Sequence, residues 1–523
     1  MNRRVFKSIS CGLAILVLGF AVWAYARQEK LTEIDRLPQL DPDYTNLVIP
    51  PNIAPLNFTV EESGKAYEVI ITPDEGPSLK IRNGEGDIRW PMKQWKKMLA
   101  ENRGKSLQYK VLVQTKDGAW QQFQSFTNQV AEEDISTHLA YRLIDPMFTQ
   151  SKIMGLYQRD ITSFHEEPFL QTRALDACYN CHSFYKQKSD RMMLHIRGGK
   201  DGAAGTFIVY DGQIKKIDTT TDLNKRPGAY RSWHPNGRMI AFSVNVVLQF
   251  FHAEGYTQEG YDKTSDLIVY DVEKNQVTTT PRISSPRYME TYPEWSPDGR
   301  YLYFCRAIQP DSSSSFEEAV VKIMYDLMRI PYDSESNTWG DLEVVLSHKE
   351  AGKSITQPRI SPDGRLMSFA MTDHGTFSIH RPGGDVYLMN MQTGEYYPIE
   401  GNTDRPESYN SWSHNSRWLV YSSKKRDNFL TRPYITYIDA DGKSHKSFIL
   451  PQKDPKFYDT FIITYNVPEF INETVQVNGQ DLIRVAKTAG STQKAQLDPT
   501  LDLDAFTSAS VQKPVEEDDY LFQ

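Results

Sequence analysis

The chain has 523 residues, a net charge of −8 and 39% hydrophobic residues, so it can form two or three domains with sizeable cores. The acidic balance argues against nucleic acid as a partner. Aromatic residues make up 12% of the chain, which favours a β-rich protein, and four cysteines are too few for a disulfide framework.

The N-terminus has the pattern of an export segment. Arg3, Arg4 and Lys7 precede an apolar run, which predicts a secretory signal or an uncleaved signal anchor over 1–26. An A-x-A cleavage site, Ala24-Tyr25-Ala26, is present, but we favour a retained anchor. The polar, proline-containing stretch 27–50 is predicted to be a linker.

Short alternating segments over 51–130 predict an Ig-like β-sandwich. Proline, glycine and aspartate separate these segments, and one helix is predicted at Met92–Glu101. Residues 131–177 are predicted to connect the sandwich to the next domain. The predicted strand segments are Leu56–Val60, Tyr67–Ile71, Leu79–Ile81, Tyr109–Val113 and Trp120–Phe126.

A C-x-x-C-H motif follows, Cys178-Tyr179-Asn180-Cys181-His182, and this is the attachment pattern of a c-type haem. Cys178 and Cys181 are predicted to bond covalently to the two vinyl groups of one porphyrin. The adjacent His182 is predicted to be the proximal iron ligand. The motif therefore predicts one covalent haem c.

The motif has two other interpretations. A structural zinc needs four nitrogen or sulfur ligands, and the remaining cysteines are Cys11, in the apolar N-terminal run, and Cys305, in a predicted strand. A thioredoxin-like dithiol or disulfide would need a βαβ context, which the surrounding sequence lacks. Haem attachment is the favoured interpretation, and c-type haem attachment agrees with export.

A turn motif repeats after the haem motif, each time followed by an apolar strand and then a second strand. Proline presets φ in these turns, and glycine or asparagine tolerates positive φ. Repeated units that cannot bury their faces alone predict a β-propeller. The turns are Trp233–Arg238, Trp295–Arg300, Ile360–Arg365 and Trp412–Arg417.

The W-S-P-D-G-R turn followed by an apolar strand resembles the repeat of TolB-type propellers, and the resemblance covers roughly residues 182–485. It implies a six-bladed propeller in an exported bacterial protein. We assign 178–485 to the haem motif and this propeller. Insertions at 245–264, 309–325 and 373–384 are expected on one rim, where propellers bind partners.

A fifth unit begins at the haem motif itself, with Ser189-Asp190-Arg191 before its first strand. Aligned on Arg191, this unit has His195 where the other units have a core aromatic residue, so His195 is the first candidate for the distal iron ligand. The alternatives are Met193, Met192 and His165. His195 could also be a hydrogen-bonded core residue beside an open iron.

The sixth blade is the least defined in the sequence. Residues 457–469, with a strand at Thr460–Tyr465, are expected to supply part of it, closed by the segment before Cys178. The polar stretch 486–523, which ends in acidic residues, is predicted to be a disordered tail.

The sequence therefore predicts a mainly β protein, an Ig-like sandwich followed by a TolB-like six-bladed propeller with a haem c site at its first blade. The predicted function is electron transfer in the periplasm of a Gram-negative bacterium, with a redox partner protein or membrane complex and an inner-membrane anchor. The alternative is an interaction scaffold or a redox or gas sensor. An enzymatic role is left open, and no catalytic residues are assigned.

Overall fold

The computed structural model describes residues 31–146, 154–171, 175–199, 202–251, 258–310 and 316–509. The predicted export segment at 1–26 lies outside them, and no helix within the described ranges has the length and apolar character to cross a membrane. The chain divides into two compact units. Unit 1 takes the described parts of Met1–Ile49, Pro55–Ala131 and Pro451–Asp459, and unit 2 takes Pro50–Ala54, Glu132–Leu450 and the described part of Thr460–Gln523.

Unit 1 is built from two β-sheets and a helix, α1 (Met92–Glu101), whose bounds are those predicted from the sequence. The helix buries Trp95, Met98 and Leu99. The larger sheet contains β1 (Leu31–Ile34), β3 (Val48–Ile49), β5 (Ala66–Pro73), β6 (Leu79–Asn83), β8 (Ser106–Gln114), β9 (Trp120–Phe123) and β10 (Phe126–Val130), and the smaller one contains β2 (Leu40–Asp41), β4 (Phe58–Val60) and β7 (Asp87–Ile88).

The linker predicted over 27–50 is wrong for its described part. Strand β1 pairs in parallel with β9, and β3 pairs in parallel with β10. These strands are two to four residues long, which is too short to show a period-2 pattern in the sequence. The segment is therefore part of the sheet.

Unit 2 is a six-bladed β-propeller whose blades are six separate sheets. Each blade has an inner strand, and the inner strands of successive blades contact each other in a closed ring. Blade 1 is β14 (Ala177–Phe184), β15 (Met192–Gly198), β16 (Gly205–Tyr210) and β17 (Gln213–Asp218); blade 2 is β18 (Arg231–Trp233), β19 (Met239–Phe251), β20 (Gln258–Asp271) and β21 (Gln276–Thr278); blade 3 is β22 (Tyr288–Trp295), β23 (Tyr301–Ile308), β24 (Asp326–Asp333), β25 (Thr338–Trp339) and β26 (Glu343–Leu346); blade 4 is β27 (Ser354–Ile360), β28 (Leu366–Thr372), β29 (Asp385–Asn390) and β30 (Tyr396–Pro398); blade 5 is β31 (Glu407–Trp412), β32 (Trp418–Ser423), β33 (Arg432–Tyr437) and β34 (Phe448–Ile449).

Blade 6 closes the ring with strands from both ends of the unit. It contains β11 (His138–Ile144), β12 (Gly155–Asp160) and β13 (Glu166–Gln171), with β35 (Thr464–Ile471) as the inner strand. The connector predicted over 131–177 is therefore wrong, since most of it is blade 6. Closure before Cys178 is as expected, but the closing strand begins at Thr464 rather than at Thr460, where α4 (Phe457–Thr460) ends.

The repeated turns join the inner strand to the second strand, as predicted. In blade 3, the Asp298 carboxylate accepts hydrogen bonds from the backbone N–H of Arg300 and from the Ser296 hydroxyl. Gly299 has φ 73°, in the left-handed region that glycine adopts without steric cost. The aspartate, serine and glycine of the turn motif therefore each stabilise the turn.

The second and fourth residues after the turn arginine face the preceding blade. Ile240 and Phe242 of blade 2 pack in one apolar cluster with residues of blade 1. Leu302 and Phe304 of blade 3 pack in the same way against blade 2. Burial of these side chains between sheets holds the blades together.

Polar side chains on the inner strands also join neighbouring blades. Each accepts a hydrogen bond from a backbone N–H on the inner strand of the next blade, at 3.0–3.2 Å, so the ring is bonded from strand to strand. The pairs are Glu469 with Phe184, Ser232 with Trp295, Glu294 with Ile360, and Ser411 with Phe470.

The tail predicted from 486 is wrong in its described part, up to Ala509. Strand β36 (Thr492–Lys494) pairs in parallel with β17, and β37 (Gln496–Leu497) pairs in parallel with β21. The polar side chains that suggested disorder are compatible with these strands because they lie on the outer edges of blades 1 and 2. The remaining short helices are α2 (Phe316–Val320), α3 (His348–Ala351), α5 (Gly479–Lys487) and α6 (Leu503–Ala509).

Candidate haem-attachment site

The C-x-x-C-H motif lies on β14, the inner strand of blade 1. The register with β15 shifts between Asn180, opposite His195, and Ser183, opposite Met193. Cys181 and His182 therefore form a β-bulge, two residues opposite the single residue Leu194. A bulge interrupts the ladder of hydrogen bonds and redirects side chains.

The inner strands of blades 3 to 6 carry a bulge at the same place. In these blades the first bulge residue has a positive φ of 48–56°, and the second is a proline or an asparagine. Blade 1 places Cys181 and His182 at the corresponding positions. The corresponding pairs are Tyr292-Pro293, Gln357-Pro358, Tyr409-Asn410 and Val467-Pro468.

The His182 side chain is fully buried at 0% exposure. Neither ring nitrogen makes a hydrogen bond of normal geometry, and the nearest carboxylate, Oε2 of Glu469, is 4.0 Å from Nε2. Backbone groups of Ala140 and Val467 lie beside the ring and weakly favour its protonated form. A buried polar atom without a well-formed hydrogen bond costs free energy.

The surroundings of His182 keep its imidazole neutral. Burial, followed by the positive charges of Arg231 and Arg142, lowers its pKa to about 3. A neutral imidazole has a lone pair on one nitrogen, and this is the form that binds a metal.

Cys178 is a half-buried free thiol that lines the cavity of about 330 Å³ at the centre of the propeller. Its sulfur lies 3.8 Å from Nη2 of Arg197, the residue opposite it on β15. The side chain of Cys181 lies outside the described atoms. Of the two predicted thioether residues, the structure therefore locates one thiol, at the cavity.

Cys178 and His182 are held by different contacts. Cys178 is opposite Arg197 on β15 and packs against the apolar cluster between blades 6 and 1. His182 lies beside Ala140 and Val467 of blade 6. Cys178 and Cys181 are three residues apart, which on a strand is a separation of about 10 Å, whereas residues three apart on a helix are about 5–6 Å apart.

The alignment that singled out His195 is off by one residue. Met192 and Leu194 pack towards blade 6, the preceding blade, and Met193 packs towards blade 2. Leu194, not His195, therefore corresponds to Phe242. The reason is that the strand starts one residue sooner after the turn arginine: Met192, opposite Phe184, directly follows Arg191, whereas Leu302, opposite Trp295, is the second residue after Arg300.

The remaining predicted ligands lie in different surroundings. His195 is 5% exposed and its Nδ1 is 3.1 Å from the hydroxyl of Thr206, while burial and Arg197 lower its pKa to about 4. Met192 and Met193 are core residues of two different clusters. His165 has a side chain that is 66% exposed beside Glu167.

The sequence did not reveal the charged groups around the central cavity. Arg142 donates hydrogen bonds to the carbonyl of Tyr179 and to Asn466. Arg359 pairs with Glu294 at 2.9 Å. These residues come from different blades and are brought together only by ring closure, so no local motif marks them.

The sequence also did not reveal Met154, a buried residue that lines the same cavity as Cys178. Its sulfur accepts a hydrogen bond from the backbone N–H of Tyr179, within the motif, at 3.2 Å. Met154 lies in the segment before the motif, but that segment was predicted to be a connector, so its position did not indicate contact with the motif.

Among the described side chains, which do not include that of Cys181, no three histidine, cysteine, aspartate or glutamate residues come together in a group able to hold a metal ion. A metal site made only of protein side chains needs three or four such ligands. A haem needs one or two, because the porphyrin supplies the other four nitrogens.

No protein-family model matches the chain, and no curated protein sequence matches it. Among solved structures, it is similar to TolB from Acinetobacter baumannii, with 15% identity over 70% of this chain and 79% of that chain and a TM-score of 0.41. An oligogalacturonate lyase in complex with manganese shares 12% identity over 60% of this chain and 74% of its own, with a TM-score of 0.34. A prolyl endopeptidase shares 15% identity over 53% of this chain and 36% of its own, also with a TM-score of 0.34.

Proposed function

We propose that this chain carries one covalent haem c and transfers electrons to or from a protein partner in the periplasm of a Gram-negative bacterium. Cys178 and Cys181 bond to the porphyrin, and His182 ligates the iron. The observation that carries the proposal is His182, a fully buried, neutral imidazole with no well-formed hydrogen bond, directly after the second cysteine of the motif.

The donor atoms fit a haem, and the strand conformation sets one requirement. A thiol at the cavity and an imidazole with a free lone pair are the groups that a haem c takes from its protein. One porphyrin edge cannot span two thiols on an extended strand about 10 Å apart. We therefore expect residues 178–181 to leave the strand conformation when haem is attached. The bulge at Cys181 and His182 makes this change less costly, because hydrogen bonds of the β-ladder are already missing there.

The attachment chemistry is balanced without a further reactant. Each cysteine S–H adds across one vinyl C=C, so that sulfur bonds to one carbon and hydrogen to the other. The covalent bonds retain the haem, and the haem supplies one-electron chemistry when bound.

The insertions offer a place for a redox partner. Those of blades 2, 3 and 4 lie at the end of the propeller where the second strand connects to the third. Most of 245–264 belongs to the paired strands β19 and β20, and much of 373–384 is buried, with Arg381 paired to Glu259 of blade 2, so 309–325 is the insertion that we propose contacts a partner. Cys178 lies near that end, since its pairing residue Arg197 comes at the end of β15, the second strand of blade 1. We propose that the partner docks there, and that an N-terminal anchor over 1–26 holds the protein at the inner membrane.

The test is expression with c-type haem maturation, followed by mass spectrometry and absorption spectroscopy. The full chain should carry one covalent haem. Cys178→Ala and Cys181→Ala should each retain at most one thioether bond to it, and His182→Ala should alter the absorption spectrum of the haem. Cys305→Ser, at a buried cysteine of blade 3, is the matched control and should keep the haem. A full chain purified with the mass of the apoprotein would refute the proposal.

A further inference from the structure

The central cavity of the propeller has a positively charged wall in a chain whose net charge is −8. Its volume is about 330 Å³, which is within the range of pockets that bind small molecules. A concave surface with charge of one sign attracts ligands of the opposite sign, so the wall favours an anion. Among the described residues that line the cavity, two are acidic and five are basic: Arg142, Lys186, Arg197, Arg231 and Arg359.

The two acidic residues of the wall, Glu294 and Glu469, are engaged in joining the blades. The Glu294 carboxylate accepts hydrogen bonds from Nη1 of Arg359 and from the backbone N–H of Ile360. The Glu469 carboxylate accepts one from the backbone N–H of Phe184. Each of these bonds links one blade to the next, so both carboxylates have a structural role and the excess of positive charge is left for a ligand.

Arg359 presents its guanidinium to the cavity. Its side chain is 34% exposed, whereas that of Arg231 is 3% exposed and lies 3.9 Å from Glu469. The bond to Glu294 uses one of the five N–H donors of the Arg359 guanidinium, and the described part of the chain supplies no other acceptor for it. A planar guanidinium with adjacent donors matches the two oxygens of a carboxylate.

A second donor lies two residues earlier on β27, at Gln357, which is 6% exposed and lines the cavity. Its Oε1 accepts hydrogen bonds from the backbone N–H of Tyr409 and the hydroxyl of Ser408, which fixes the orientation of the amide. Its Nε2 has no acceptor among the described atoms. Tyr292 and Tyr409 occupy the same bulge position in blades 3 and 5 and also line the cavity, so an apolar or aromatic group can pack beside this amide.

We propose that the central cavity binds a small organic carboxylate, with its carboxylate on Arg359 and its apolar body at the level of Tyr292 and Tyr409. Positions two apart on a strand are separated by roughly 6–7 Å, which suits a ligand of the size of phenylacetate. Arg359 immediately precedes the last residue of β27, as Ser183 does on β14. Cys178 is five residues before Ser183, roughly 15 Å along the strand, so the proposal does not depend on haem attachment.

The experiment is calorimetric titration of the full chain at constant ionic strength with phenylacetate, and with phenylacetamide as a neutral probe of the same shape. We expect saturable binding of phenylacetate, and binding of phenylacetamide that is weaker by about tenfold or more, since hydrogen bonds to a charged group are stronger. Arg359→Gln should weaken phenylacetate binding by a similar factor and change phenylacetamide binding little. The matched control is Arg365→Gln, at an exposed arginine of blade 4 that pairs with Asp363 and does not line the cavity; it should bind phenylacetate as the unmodified protein does.

Two further variants keep the test valid if Arg359→Gln does not fold, which its melting temperature will show. Arg359→Lys retains the charge but loses the planar pair of donors. Gln357→Glu retains the acceptor oxygen for Tyr409 and replaces the unpartnered donor by a negative charge. Both should bind phenylacetate more weakly than the unmodified protein.

Three results would overturn the proposal: no saturable binding of phenylacetate, equal affinity for phenylacetate and phenylacetamide, or unchanged phenylacetate binding in a folded variant at Arg359. The titration needs no haem, so its outcome is independent of the mass and absorption measurements that test the proposed function.

Discussion

Arg381 and Glu259 form a buried ion pair that joins blades 2 and 4, and its removal should be strongly destabilising. Nη2 of Arg381 lies 2.6 Å from Oε1 of Glu259, and the two side chains are 2% and 5% exposed. Arg381→Met leaves the carboxylate buried without its countercharge, which typically costs about 3–5 kcal/mol. Burial raises the pKa of Glu259, and Arg381 partly offsets this by lowering it. The pKa of Glu259 should therefore rise further in Arg381→Met, and protonation of the carboxylate should limit the loss of stability at low pH.

The assay is the urea midpoint of unfolding, measured with a matched exposed pair as control. Arg365 pairs with Asp363 at 2.8 Å, with side chains 48% and 35% exposed, and Arg365→Met should cost about 0–1 kcal/mol. The double variant Glu259→Gln/Arg381→Met should recover part of the loss, because no charge is left buried. If Arg381→Met shifts the midpoint no more than Arg365→Met does, water reaches the pair and the reasoning fails.

Three further predictions concern pH, the C-terminal strands and the cysteines. Burial raises the pKa of Asp262 to about 7, so the folded state keeps a proton that the unfolded state releases, and the free energy of unfolding should fall as pH rises from about 4 to 7. In urea titrations at a series of pH values, Asp262→Asn should reduce this fall by at most roughly 4 kcal/mol, and equal pH profiles of the two proteins would contradict the prediction. A chain ending at Lys487 should have a free energy of unfolding lower by a few kcal/mol, at ~1 kcal/mol for each lost hydrogen bond, such as that from the Ala495 N–H to the carbonyl of Asp218. It should melt below a chain ending at Ala509, and equal melting temperatures would show that β36 and β37 add no stability. In haem-free protein Cys178 should react with a maleimide, while Cys305, whose thiol pKa is raised by burial, should react only after unfolding. Peptide mass mapping that found Cys305 labelled and Cys178 unlabelled in the folded protein would contradict the placement of these residues.

The turn and strand repeat could be predicted from the sequence because its signals are local. Proline, aspartate and glycine fix the turn by their own φ preferences and hydrogen bonds. The helix at Met92–Glu101 was likewise predictable from its own residues. In each case the information lies within about ten residues.

Blade 6 could not be predicted because it depends on pairing between distant segments. Strand β11 pairs with β35, at the other end of the propeller, and neither strand follows a W-S-P-D-G-R turn. The ion pairs around the cavity have the same origin, since Arg359 and Glu294 belong to different blades. Sequence periodicity reports which face of a strand is buried but not which strand lies beside it.

The position of His195 shows how a difference of one residue in spacing changes which side chains a repeat alignment treats as equivalent. Side chains alternate between the faces of a strand, so a shift of one residue moves every side chain to the other face. Met192 directly follows Arg191, whereas Leu302, which occupies the equivalent pairing position in blade 3, is the second residue after Arg300. Met192 and Leu194 therefore face blade 6, and His195 shares the face of Met193, towards blade 2. A repeat alignment anchored on the turn arginine could not detect this, because the missing residue lies between that arginine and the strand.

The motif lies within the repeated bulge, and this position distinguishes the proposed haem site of blade 1 from the equivalent segments of the other blades. Four other inner strands use the bulge for a residue with positive φ followed by proline or asparagine, neither of which ligates iron. The interrupted ladder leaves this short segment free to change conformation while the strand on either side stays paired. Replacing Cys181-His182 by the Val-Pro pair of blade 6 should therefore preserve the fold and its melting temperature while abolishing haem attachment, and a collapse of the fold would show that the motif is needed for the propeller itself.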